Sequence, residues 1–255
     1  MRRLNYFLLI SISFFLFGCP NKTTSGSGGS NNTNEVLPIG TNLSAEGADV
    51  ISFLNAHWLE NDVSTVRHYN LAKLDSMRIG RKELLFGDPM FDVADSLVRE
   101  ALNHDVTRIA FNLEADYDVD EFVRREKAIG ALVRGYGLEY SFGPDLGHLI
   151  LFYSDFAPHA DVIVIQSQRW QTHSDYKDKV KNLVDQIKGV NPDVKVWVQV
   201  STAPPDNQEI TASEVLDDIE QICDFVDGVF IFHPPAIESR WEVAKAVIET
   251  LRLTR

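Results

Sequence analysis

Glu114 stands just past the run Thr107 to Leu113, and it is the one acid that the residue pattern places at a clear strand end. A carboxyl group there can give or take a proton, or accept hydrogen bonds from hydroxyl groups. Amides and hydroxyls crowd comparable positions. Asn42, Asn112, Ser141, Gln166, Gln168, Gln199 and Ser201 all fall at or near the ends of β-like runs. A carboxamide carries a donor and an acceptor side by side, which is the pairing a sugar hydroxyl needs. His233 ends a further run, and Arg169, Trp170 and Trp241 can approach from loops. An indole ring suits the apolar face of a sugar. Asp145, after the Gly143-Pro144 break, is the nearest candidate for a second carboxylate beside Glu114.

Other chemistries find little support. Asp116, Asp118 and Asp120 begin like a calcium loop, but Glu121 replaces the turn glycine and Lys127 occupies the closing bidentate position. Helix capping accounts for these acids. The seven histidines form no zinc-binding spacing, and no P-loop, nucleophile elbow or CxxC is present. No metal and no cofactor is expected. A formal charge of −13 argues against nucleic acid as a partner. Loss of Arg2 and Arg3 with a cleaved N-terminal signal would leave 22 basic against 37 acidic residues.

Groups scattered this widely act together only if their strands end at one place. The stretch from Asp161 to Thr202 shows the repeating unit. Val162 to Ile165 is an apolar, β-branched run of the kind buried on both faces in a parallel sheet. Tyr176, Val180, Leu183, Val184 and Ile187 then recur at helical spacing, Asn191-Pro192 stops that helix, and Val194 to Val200 is a second strand. Such βαβ units repeat along the chain: strands at Leu37 to Leu43, Thr107 to Leu113, Leu138 to Phe142 and Gly228 to Phe232, with helices between them. Val50 to Trp58 reads as a strand or short helix, Val66 to Leu71 and Lys82 to Phe86 as strands. Seven strands are clear, and an eighth lies between Ser44 and Phe86. The expected fold is α/β, a (β/α)8 TIM-like barrel over residues 37–255, with a doubly wound parallel sheet as the alternative.

Parity then aims the side chains. In Val194 to Ser201 the valines share one face, and Lys195, Trp197, Gln199 and Ser201 share the other. Barrel strands turn their apolar face to the helices. Gln199 and Ser201 should therefore point inward, as should Asn112, Glu114, Ser141, Gln166 and Gln168. Trp197 and Phe230 read as barrel filling, and Cys223 as a buried helix residue.

The N-terminus gives an address. Arg2 and Arg3 precede the apolar run Tyr6 to Phe17, too short for an ordinary transmembrane helix. It ends in Leu16-Phe17-Gly18-Cys19, which resembles the lipobox of bacterial lipoproteins, with Phe17 bulkier than the family's usual residue. The resemblance implies cleavage before Cys19 and acylation of that cysteine, hence lipid anchoring to a cell membrane or outer membrane, facing outside the cytoplasm. Residues 20–36, rich in Gly, Ser, Thr and Asn, form a tether. An exported barrel with an amide- and aromatic-rich mouth also resembles the glycoside-hydrolase-type barrels, over about Leu37 to Leu253. That resemblance implies an oligosaccharide as ligand, with Glu114 as general acid and Asp145 as partner carboxylate. The alternative is a non-catalytic binding or surface-interaction protein on the same scaffold.

Overall fold

The computed structural model describes residues 36–43, 48–115 and 117–253. The lipobox with Cys19, the signal and tether, and Asp116 lie outside the described residues. Eight parallel strands close into a barrel in sequence order, with β8 pairing back onto β1. The strands are β1 (Ile39–Asn42), β2 (Val63–Arg67), β3 (Arg81–Gly87), β4 (Arg108–Asn112), β5 (Glu139–Phe142), β6 (Val162–Gln166), β7 (Lys195–Ser201) and β8 (Gly228–Phe232). Among the described residues seven α-helices lie between and after them: α1 (Ala48–His57), α2 (Ala94–Leu102), α3 (Val119–Gly135), α4 (Leu146–Phe156), α5 (Tyr176–Val190), α6 (Ala212–Ile222) and α7 (Glu238–Leu253). This is the TIM-barrel architecture. Among the described residues, no helix is long and apolar enough to cross a membrane.

The sequence expectation is corrected between Ser44 and Phe86. Of the two readings open for Val50 to Trp58 the helix holds, as α1, which ends at His57. The strand expected at Val66 to Leu71 starts earlier and ends at Arg67, and His68–Ser76 is a 3-10 segment. Ser64 and Thr65 look unlike buried strand residues, yet both are buried. Trp58 Nε1 donates to Ser64 Oγ at 2.8 Å and Thr65 Oγ1 donates to a Glu83 carboxylate oxygen at 2.7 Å. Satisfied hydroxyls can sit in a sheet that local hydrophobicity does not announce.

Two separate apolar cores follow from strand parity. Val196, Val198 and Val200 face the helices and belong to the large outer core, together with Ile163 and Ile165. Val63, Val162, Trp197 and Phe230 form a second, smaller cluster inside the barrel. Gly228 makes room for it, because a Cβ there would fall on the Trp197 ring.

Below that cluster the first residues of four strands form a charged floor. The Glu139 carboxylate pairs with Arg81 at 2.7 Å, Arg108 at 2.8 Å and Lys195 at 2.8 Å. Arg108 also reaches Glu83 at 3.4 Å and lies 4.6 Å over the Trp197 ring. Burial alone would raise the Glu139 pKa, but its three cations outweigh that and hold it down to about 2. Glu83 is more enclosed, and burial raises its pKa against the pull of Arg108 and Thr65. Ion pairs and the ring of Trp197 thus fill the base of the barrel.

Candidate functional site

A cavity of about 690 Å³ occupies the open end, within the range of small-ligand sites. Its wall takes Asn42 from β1, Arg67 from β2, Asn112 from β4, Gln166 from β6 and Gln199 from β7, with Glu114 and Gln168 just beyond their strands. Ser141, at mid-strand in β5, sits deeper. It is fully buried and its hydroxyl has no hydrogen-bond partner among the described residues.

The amides are arranged as a chain that ends on Glu114. Gln199 Nε2 donates to Gln168 Oε1 at 3.2 Å, and Gln168 Nε2 lies 3.5 Å from Gln166 Oε1. Gln166 Nε2 then meets four oxygens: Asn112 Oδ1 at 3.2 Å, Glu114 Oε1 at 3.2 Å, and the carbonyls of Gly143 and Pro144, each at 3.1 Å. Asn112 Nδ2 adds a bond to Glu114 Oε1 at 3.0 Å. An amide nitrogen carries two hydrogens, so it cannot serve four acceptors fully. The mouth therefore has more acceptor capacity than donors around Glu114, and a ligand hydroxyl would supply what is missing.

Six other positions are occupied differently from the sequence expectation. Asp145 is not in the cavity wall; it is the N-cap of α4, where its carboxylate accepts from Gly147 N at 2.8 Å. Ser201 is outside the wall too. Its N–H donates to Gln171 Oε1 at 2.6 Å and its hydroxyl accepts from Ala203 N at 3.1 Å. Arg169 is exposed outside the cavity, and Trp170 packs against the outer core. Trp241 is buried on α7, 5.6 Å from Phe53 and 5.2 Å from His233 between ring centroids. His233 is 1% exposed, and its Nε2 donates to the Asn42 carbonyl at 2.8 Å. Asn42 Nδ2 returns a bond to the His233 carbonyl at 3.1 Å, so the pair staples β8 to β1. Burial drives the His233 pKa down to about 4, which keeps the ring neutral.

Several wall residues escaped the sequence reading: Glu83, Arg67, Tyr69, Asn70 and Lys73. Parity along Arg81–Gly87 carries the signal for Glu83, since Leu84 and Phe86 take the apolar, helix-facing side. The others come from the end of β2 and the 3-10 segment, where the strand boundary was misplaced. Asp118 caps α3 by accepting from Glu121 N at 2.9 Å.

No protein-family model matches the chain, and no curated protein matches it. Solved structures do. A thermostable chitinase domain from Pyrococcus furiosus is similar at TM-score 0.52 and 14% identity, over 76% of this chain and 82% of that one. A β-1,3-glucanosyltransferase from Rhizomucor miehei is similar at TM-score 0.50 and 14% identity, covering 77% and 86%. A dihydrodipicolinate synthase from Thermotoga maritima is similar at TM-score 0.52 and 13% identity, covering 86% and 79%. At such identities the likeness is one of fold, and it spans enzymes of unrelated chemistry.

Proposed function

We propose that this chain is a lipid-anchored, extracytoplasmic TIM barrel that binds carbohydrate in its mouth. The acceptor cluster carries the reading: Glu114, Asn112 and two backbone carbonyls share a single amide nitrogen at the rim of a 690 Å³ cavity. Sugar hydroxyls are the donors that such a cluster lacks. The exposed ring of Tyr69 and the side chain of Phe232, both in the cavity wall, offer surfaces for the apolar faces of a sugar.

Binding is favoured over hydrolysis. Glycosidases place their two carboxyl groups about 5 to 9.5 Å apart. Among the described wall residues the other acid is Glu83, which sits level with Arg108 in the sheet register. Glu83 is thus set at the start of the strand pair, towards the floor, whereas Glu114 stands beyond the end of β4 at the rim. Glu83 is also held by Arg108 and Thr65. Among the described wall residues Glu114 therefore has no second carboxylate free to work with it, and it acts as a recognition residue.

A thermal-shift screen of the mature chain against a panel of oligosaccharides tests this. A ligand that binds only the folded state must raise the melting temperature. The expectation is a shift with at least one glycan and none of that glycan's hydrolysis products in the mixture; a flat panel would end the carbohydrate reading. Anchoring at Cys19 is tested separately. Mass spectrometry should find acyl chains on an N-terminal Cys19, and Cys19→Ala should move the protein out of the membrane fraction.

A further inference from the structure

We propose that the sugar this mouth takes is an acidic one, bearing a carboxylate or sulfate group that seats on Arg67 and Lys73; this rests on the carbohydrate reading above. Inside the barrel, cations come in two sets. Arg81, Arg108 and Lys195 at the floor are all paired with Glu83 or Glu139. Arg67 and Lys73 at the mouth are not. Arg67 ends β2 with an exposed guanidinium that has no hydrogen-bond or ion-pair partner among the described residues. Lys73 Nζ donates to the Leu43 carbonyl at 3.2 Å and pairs with no described carboxylate.

Both cations line the cavity, and the acids in its wall do not reach them. Glu83 belongs to Arg108, and Glu114 is held by Asn112 and Gln166. Among the described residues the rim thus carries two cations with no carboxylate partner and one carboxylate, in a chain of formal charge −13. Against that background an anion is attracted only where local cations line a concave, low-dielectric wall, which focuses their field. A guanidinium whose N–H groups meet no described acceptor matches the planar oxygens of a carboxylate or sulfate.

The geometry supplies the rest of the ligand. In an eight-stranded barrel in sequence order, β2 stands opposite β6. A sugar with its acidic group on Arg67 would present its hydroxyls across the mouth to Gln166, Gln168 and Gln199. Tyr69, 70% exposed and two residues from Arg67, would lie beside the ring.

The experiment is calorimetric titration of the mature chain with oligogalacturonates, oligoalginates and chondroitin sulfate oligosaccharides. Each is run beside its methyl-esterified or desulfated counterpart and a neutral glucan and chitin series. The proposal expects one acidic series to bind and its neutralised form to bind at least about tenfold more weakly. Arg67→Gln should lose affinity for the acidic form by a similar factor, Arg67→Lys should recover part of it, and neither should change the melting temperature of the free protein. Which series binds separates carboxylate from sulfate. Binding of a neutral glycan as tight as its acidic counterpart, or unchanged in Arg67→Gln, overturns the acidic-sugar proposal and leaves the carbohydrate reading standing. No binding by any series overturns both.

Discussion

Glu126 offers a test of the packing that holds the barrel together. It sits on the buried stripe of α3, between Phe122 and Ile129, and is 0% exposed. Neither carboxyl oxygen has a hydrogen-bond partner among the described residues, and neither does the nearby Tyr140 hydroxyl. Burial pushes the Glu126 pKa from 4.5 up to about 9, with Lys127 and Arg134 opposing weakly. The folded chain therefore holds a proton that the unfolded chain releases above pH 4.5. Where the unfolded state binds fewer protons, stability falls as pH rises. That loss runs from the unfolded pKa to the folded one and is absent below it. Between pH 7 and 8.5 the slope of about 1.4 kcal/mol per pH unit amounts to about 2 kcal/mol.

Burial raises Asp218 to about 6 and lowers His233 to about 4, and what they or any other shared group still contribute above pH 7 cancels between the wild type and a variant that differs only at Glu126. Replacing Glu126 with Met keeps an unbranched side chain and removes the ionisable group. Urea unfolding at the two pH values should show the wild type losing about 2 kcal/mol more than Glu126→Met. At pH 8.5 the variant should be the more stable by several kcal/mol, on the order of 4 after allowing for imperfect packing. Equal slopes for the two proteins would refute the reasoning, since they would mean that Glu126 ionises freely in the folded chain.

Three further outcomes follow from named contacts. Arg108→Met leaves Glu83 with no cation partner among the described residues, while Glu139 keeps Arg81 and Lys195; it should cost about 3 to 5 kcal/mol in urea unfolding, and a loss under about 1 kcal/mol would contradict the pairing. Thr211→Ala removes the capping box in which Thr211 N donates to Glu214 at 2.8 Å and Glu214 N to Thr211 Oγ1 at 3.3 Å; it should cost about 1 kcal/mol, and Thr211→Ser should restore most of it. Gly228→Ala drives a methyl into the Trp197 ring and should destabilise by about 1 to 3 kcal/mol, measured as a lower denaturation midpoint.

The barrel was readable from sequence wherever a strand is apolar and β-branched, as in Val162 to Ile165, or alternates cleanly, as in Lys195 to Ser201. Parity there predicted a direction for each side chain, and Asn112, Glu114, Ser141, Gln166, Gln168 and Gln199 do line one cavity. It failed in β2, whose Ser64 and Thr65 are buried because partners distant in sequence satisfy them. Misplacing that strand's end hid Arg67 and the 3-10 wall behind it. Residues at or beyond the ends of the strands were harder still. Asp145 and Ser201 have polar groups that could serve a ligand, but a helix cap and an adjacent loop take them up. Trp241 and His233 turned to each other within the structure because tertiary packing, which no local pattern encodes, gave them a buried neighbour.

The most direct measurement is the affinity of the mature chain for its best-binding oligosaccharide, compared with that of Glu114→Gln. Glu114 is exposed and, among the described residues, bonded only through Oε1, so the substitution should leave the unfolding free energy within about 0.5 kcal/mol. It also replaces acceptor capacity at the centre of the rim with a donor. A loss of at least about tenfold in affinity, with the fold unchanged, is the predicted result. Undiminished binding by Glu114→Gln would contradict the claim that sugar hydroxyls are recognised at this cluster.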